Sequence, residues 1–160
     1  MYKKSTTSRL LEGGGMKFVY DDGGRLKAGF KGKTGDCVVR AIAITSNKSY
    51  QEVYDDLFSI GKKTPREGVE RKTYEPYIKS LGFKWVPCMK IGTGCKVHLL
   101  DEELPVGILI ARVSKHLTAI INRVIHDTHD PQRVTHWYDN EGKVKNTSYR
   151  CVYGYYIKED

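Results

Sequence analysis

This sequence predicts an α+β domain, with helices in its first half and an antiparallel sheet in its second. Three features point there. Val38-Val39-Arg40-Ala41-Ile42-Ala43-Ile44 is almost wholly apolar and does not alternate from Arg40 onward, which favours a buried helix, although Val38, Val39, Ile42 and Ile44 also suit a strand. Ser49-Tyr50-Gln51-Glu52 matches a capping box, with Ser at the N-cap and Glu three residues on. From Gly107 the chain turns to strands, in the stretches 107–113, 116–121, 124–128 and 150–157. Helices followed by strands, rather than alternating with them, are the mark of α+β.

The elements follow in order. Residues 1–15 end in Gly13-Gly14-Gly15 and are expected to form a flexible tail, leaving 16–160 as a single domain. Residues 16–20 alternate, Asp21-Asp22-Gly23-Gly24 is turn-forming and 25–30 follows, a hairpin signal. Residues 31–35 form a basic loop that leads to Cys37 and the helix 37–46, with Asp36 or Thr34 as its N-cap. A second helix spans 50–60, with Val53, Leu57 and Ile60 on one face and Gly61 as its stop. Thr73 caps a third, which runs through Leu81, closes at Gly82 and turns Tyr74, Tyr77, Ile78 and Leu81 inward. Residues 83–87 read as a strand and 92–105 as an irregular connector. Residues 129–148 are polar and turn-rich around a short strand at His136-Trp137-Tyr138.

Composition narrows the function. A hydrophobic content of 39% against 29% charged is that of a globular domain, not a disordered chain. No apolar run approaches the ~20 residues that span a bilayer, and the basic N-terminus has no apolar region behind it, so neither membrane insertion nor secretion is expected. The four cysteines, Cys37, Cys88, Cys95 and Cys151, are irregularly spaced and are expected to be free thiols in a reducing cytosol. A net charge of +8 favours acidic partners, an acidic protein face among them. The lysines are dispersed and no base-reading element is visible, so binding to nucleic acid is expected to be weak, non-specific and salt-sensitive. Cys88, Cys95 and His98, joined by His126, His129 or Cys151, fit no common zinc spacing, and Gly92-Thr93-Gly94 is too short for a phosphate loop. No metal or cofactor is expected.

The chemistry gathers around Cys37. At a helix N-terminus, unpaired N–H groups and the helix dipole favour a thiolate, whereas Asp36 opposes it unless its carboxylate is engaged. A nucleophilic thiol needs a base, and the base needs a group to orient it. His116 stands at the mouth of one strand, and Val124-Ile125-His126-Asp127-Thr128 returns with an acid. With Asn122-Arg123 as a hairpin turn, Thr118 faces Asp127 and His116 faces His129. His116 and Asp127 are then diagonal neighbours on one face, roughly 7 Å apart at Cβ. His126 and Asp130 point to the other face; a loop of odd length would reverse the parity and promote Asp130 as the third member.

Gly-Asp-Cys-Val-Val-Arg-Ala-Ile-Ala (35–43), Ser-Lys-His-Leu-Thr-Ala-Ile-Ile (114–121) and Val-Ile-His-Asp-Thr-His-Asp-Pro (124–131) resemble a set of uncharacterised bacterial and bacteriophage proteins that are themselves similar to papain-like cysteine peptidases. The resemblance covers residues 16–157. It implies a papain-like fold in which the helix at Cys37 is buried on the C-terminal sheet. It also implies a cysteine hydrolase of peptidase or amidase type acting on a protein or peptide, with Cys37 as nucleophile, His116 as general base and Asp127 as its orienter. The location it implies is the cytoplasm of a bacterium or phage-infected cell. Such enzymes usually place Gln or Asn about six residues before the cysteine to complete the oxyanion hole. Here that position is Lys31, and no Gln or Asn lies between Phe18 and Cys37. The backbone N–H of Cys37 remains as one donor, with Lys31, Lys33 and Thr34 as candidates for the second. The alternative is a catalytically inactive papain-like binding module, such as a phage-encoded inhibitor of a host protein or a basic nucleic-acid-associated protein.

Overall fold

The computed structural model describes residues 15–32 and 34–159 and the backbone of 3–7. Among the described residues it is a mixed α+β fold of three α-helices, one 3-10 turn and two sheets. The helices are α1 (Cys37–Thr45), α2 (Tyr50–Gly61) and α3 (Arg71–Ser80). The strands are β1 (Lys3–Thr7), β2 (Lys17–Tyr20), β3 (Phe83–Pro87), β4 (Ile108–Val113), β5 (His116–Ile121), β6 (Val124–Asp127), β7 (Val134–Tyr138), β8 (Val144–Ser148) and β9 (Gly154–Lys158).

Six strands in the order β2-β6-β5-β4-β9-β3 form the main sheet, antiparallel except where β2 lies parallel to β6. Each face of this sheet carries a hydrophobic cluster. On one face Ile110, Leu117 and Tyr156 pack with Val39, Ile42, Val53, Leu57 and Ile78 from the three helices. On the other, Leu109, Ala111, Val113, Ile120 and Ile125 pack with Met16, Leu99, Leu104 and Val152. Alternation along β4, β5 and β9 divides the residues in this way. β1, β7 and β8 form a separate three-stranded sheet.

α1 is the helix the apolar run predicts, buried from Val38 to Ala43. Removing Val39 and Ile42 wholly from water contributes about 1.5–3 kcal/mol each. Ser49 caps α2 by accepting the Glu52 N–H at 3.2 Å. α3 opens at Arg71 behind Glu70 rather than at Thr73. It admits Pro76 on its exposed side, where the carbonyl left without a donor can meet water. In the β5–β6 turn, Asn122 and Arg123 both adopt positive φ, 48° and 67°. That conformation pairs Ala119 with His126 and Ile120 with Ile125, the register expected for a two-residue turn.

Other expectations give way. The hairpin over 16–30 is not formed. The side chains of Asp21 and Asp22 accept the N–H groups of Gly23, Gly24 and Leu26 and wind 21–29 into turns, so β2 pairs with β6 instead. The strand expected from Arg150 begins at Gly154. β8 arises in the stretch read as turns. Residues 3–7 of the segment expected to be a tail pair with β7; its remainder, apart from Gly15, lies outside the described residues. Nor are all four cysteines free, because Cys95 and Cys151 form a disulfide. Bonds from Val152 N–H to the Val97 carbonyl and from Leu99 N–H to the Arg150 carbonyl lay 97–99 along 150–152. Those contacts put adjacent two sulfurs that are 56 residues apart in sequence. Among the described residues, no helix is long and apolar enough to cross a membrane.

Candidate active site

Cys37 opens α1, and His116 opens β5 after a tight turn in which Lys115 takes φ 56°. The Arg150 guanidinium donates to the Ser114 carbonyl at 2.6 Å and to the Pro131 carbonyl at 2.8 Å, fastening that turn to the segment beyond β6. In this setting Cys37 and His116 line one cavity, close enough that the His116 ring and the Leu117 N–H both act to lower the Cys37 thiol. His116 Nε2 lies 2.7 Å from Asp127 Oδ2, which leaves Nδ1 for the thiol. Thr118 Oγ1 donates to the same carboxylate oxygen at 2.8 Å, as the β5–β6 register requires.

Asp127 is 2% exposed and its acceptor sites are filled. Oδ2 takes His116 and Thr118; Oδ1 takes Arg40 Nη1 at 2.6 Å and the Thr128 N–H at 2.7 Å. Arg40 continues inward, its Nε donating to Asp36 Oδ1 at 2.9 Å. Asp36, fully buried, also accepts from Tyr50 Oη at 2.7 Å and Arg25 Nη1 at 3.3 Å. Its carboxylate is thus occupied by two cations and a phenol, and its charge is not left facing the thiol. Asp36 does not cap α1 through its side chain.

Burial and ion pairing compete at each group. Burial pushes the Cys37 thiol up, but the His116 hydrogen bond and charge, the Leu117 N–H and the Arg40 charge outweigh it and bring it below its ordinary range. Burial would lower His116; its bonds to Asp127 and Cys37 raise it instead to about 9. Burial would raise Asp127; His116, Thr118 and Arg40 hold it down at about 2. These shifts run in the direction of a thiolate–imidazolium pair on a buried carboxylate. Cys88, by contrast, is pushed up by burial alone.

Beside Cys37 and His116 opens a cavity of about 310 Å³. Val38, Val69, Tyr74, Val113 and Leu117 supply its apolar wall, and Arg71, Arg112 and Lys115 also line it.

Of the other residues singled out in the sequence, Asp130 accepts from the Gln132 N–H and Nε2, both at 3.0 Å, and does not reach His116. His126 sits on Asp21 at 3.2 Å. His129 lies near His116, with ring centroids 5.1 Å apart and the rings tilted by 49°, and remains mostly exposed. Thr34 donates its hydroxyl to the Arg66 carbonyl, and Lys31 is exposed with its carbonyl held by Arg66 Nη2 at 3.0 Å. Lys33 lies outside the described residues. Among the described residues no cluster of His, Cys, Asp or Glu is arranged to hold a metal ion. Arg40, Thr118, Tyr50 and Arg25 were not legible as site residues. Arg40 carried a signal as the one charge inside an apolar run, and Thr118 one as the residue facing Asp127 across the hairpin. Comparison of the chain with protein-family models, with curated proteins and with solved structures finds no match, so the site stands on its own geometry.

Proposed function

We propose that this chain is a cysteine hydrolase of papain-like architecture, of peptidase or amidase type, with Cys37 as nucleophile, His116 as general base and acid, and Asp127 as the residue that orients His116. The observation that carries the reading is the position of His116, beside a thiol at a helix N-terminus and 2.7 Å from a buried carboxylate. The Cys37 thiolate attacks the carbonyl carbon of an amide, forming a C–S bond and an oxyanion. The first-turn N–H of Cys37, which has no partner within the helix, is one donor to that oxyanion. As the C–N bond breaks, His116 passes its Nδ1 proton to the leaving amine, and a thioester remains. Neutral His116 then takes a proton from water, the hydroxide attacks the thioester, and the acid leaves as the thiolate re-forms. Asp127 accepts from Nε2–H throughout and stabilises the imidazolium whenever it forms. An amine in place of water would make the same site a transferase.

p-Nitrophenyl acetate tests this. Intact-mass measurement is expected to find an acetyl adduct on Cys37 that forms in a burst and then hydrolyses. Cys37→Ala abolishes it and His116→Ala slows it by about 10²–10⁴-fold. His126→Ala, altering a ring that sits on Asp21, leaves it unchanged. Absence of an adduct on Cys37 in the unaltered protein overturns the proposal. One observation favours the second reading, an inactive papain-like module that binds an acidic protein partner: the Thr34 hydroxyl, a candidate oxyanion donor, is given to the Arg66 carbonyl.

A further inference from the structure

The cavity beside Cys37 is lined by three cationic side chains, Arg71, Arg112 and Lys115, and by no carboxylate. The three arrive from distant parts of the chain: Arg71 opens α3, Arg112 is on β4 and Lys115 is in the β4–β5 turn. They differ in how far their charge is met. Arg71 pairs through Nε with Glu75 Oε2 at 2.5 Å and lies over the Trp85 ring at 4.8 Å. Glu75 is shared with Lys79 and Tyr156, and these partners hold it down at about 2. Arg112 lies over the Tyr153 ring at 5.5 Å, and among the described residues neither it nor Lys115 has a carboxylate partner. Two cations left without counter-ions on the wall of a partly apolar cavity form a site for an anion.

Resting on the hydrolase reading, we infer that this cavity recognises a carboxylate carried by the substrate beside the bond that Cys37 attacks, so that the substrate class is an acidic peptide. The guanidinium of Arg112 offers the paired N–H geometry that suits a carboxylate, Lys115 adds a mobile charge at the rim, and Tyr74, Val69 and Val113 take the aliphatic stem.

Paired electrophiles test this without any substrate in hand. Iodoacetate and iodoacetamide present the same carbon to the thiol and differ in one carboxylate. Their relative rates at Cys37, normalised to those of N-acetylcysteine, are expected to favour iodoacetate. That preference should fall about tenfold in Arg112→Met, a change of the size of one charge-assisted hydrogen bond. It should fall further in Arg112→Met/Lys115→Met, and should shrink as salt rises. Lys115→Met alone, at an exposed turn position, keeps the test usable if Arg112→Met fails to fold, and it too should lower the ratio. A ratio that none of these variants lowers overturns the inference, because the preference would then come from His116 and Arg40 alone. Protection of Cys37 from iodoacetamide separates the possible anions. Succinate acting at lower concentration than inorganic phosphate supports a carboxylate site. The reverse order, or no protection by either, overturns it. The outcomes also separate the two proposals: a variant-sensitive preference for iodoacetate without any acyl-enzyme would leave an anion-binding cavity on an inactive module.

Discussion

On one side of Cys37 lie Asp36, Arg40 and Asp127; on the other lie Arg71, Arg112 and Lys115. Both regions are dense in charge, and they treat it oppositely. On the inner side every carboxylate oxygen has a donor, and Arg40, 5% exposed, joins the two acids. On the cavity side Arg112 and Lys115 meet only an aromatic ring and solvent among the described residues. A buried charge must be matched within the fold, because desolvation costs several kcal/mol per ion. A charge at a cavity mouth keeps part of its hydration and can await a ligand. The inner network therefore fixes how Cys37, His116 and Asp127 are placed, whereas the outer cations remain available to a ligand.

The comparison breaks most readily at Arg40. Arg40→Met leaves two buried carboxylates without a shared cation, and denaturant unfolding is expected to show a loss of about 3–5 kcal/mol. Arg112→Met, removing a charge with no carboxylate partner, should cost less than about 1 kcal/mol. Equal losses would erase the distinction between the two sides.

Asp127→Asn sharpens it. Without the carboxylate, His116 should titrate nearer its ordinary 6.5 instead of about 9. The pH profile of Cys37 alkylation should then lose its reactivity near neutrality, a change that simple destabilisation would not produce. The linkage has a sign that unfolding against pH can check. The folded-state value of His116 is raised, so its contribution is complete below pH 6.5 and is lost as pH climbs through about 9. That of Asp127 is depressed from 3.8, so its contribution is complete above pH 3.8 and is lost as pH falls through about 2. A stability maximum outside the interval between those edges would contradict the ion-pair description.

The smallest expected effect is at Thr118→Val. It removes one of the four donors to Asp127 and leaves the charge matched. A loss of about 1 kcal/mol in stability is expected, with acyl transfer slowed less than in Asp127→Asn. A larger cost here than at Arg40 would show that the hydroxyl, not the cation, holds the carboxylate.

What was legible in the sequence was local. The run at 38–44 marked a buried helix because its apolar residues surround the axis, and the short spacer at Asn122-Arg123 fixed the parity that brings His116 and Asp127 to one side. What was hidden depended on long-range placement. The parallel pairing of β2 with β6 joins segments about 100 residues apart, and nothing in 16–30 distinguishes it from a hairpin except that Asp21 and Asp22 can wind the chain into turns. Cys95 and Cys151 carry no spacing signal, since their meeting follows from the path of 97–99 beside 150–152. Arg71, Arg112 and Lys115 look like dispersed surface charge until the fold brings the start of α3 and the β4–β5 turn to the lining of one cavity.

The Cys95–Cys151 disulfide has a topological consequence for the site. It closes the chain into a ring that contains β4 through β8, so His116 and Asp127 lie inside the loop while Cys37 and all three helices lie outside it. On unfolding, His116 and Asp127 stay tethered within one covalent circle, and Cys37 is free to drift away. For a bridge closing a loop of this length, restricting the unfolded chain contributes about 4 kcal/mol. A single cut at the exposed turn around Gly142 would open the circle without releasing a fragment. The two pieces would part only on reduction, and the hairpin that carries His116 and Asp127 would remain on the same piece as Cys37.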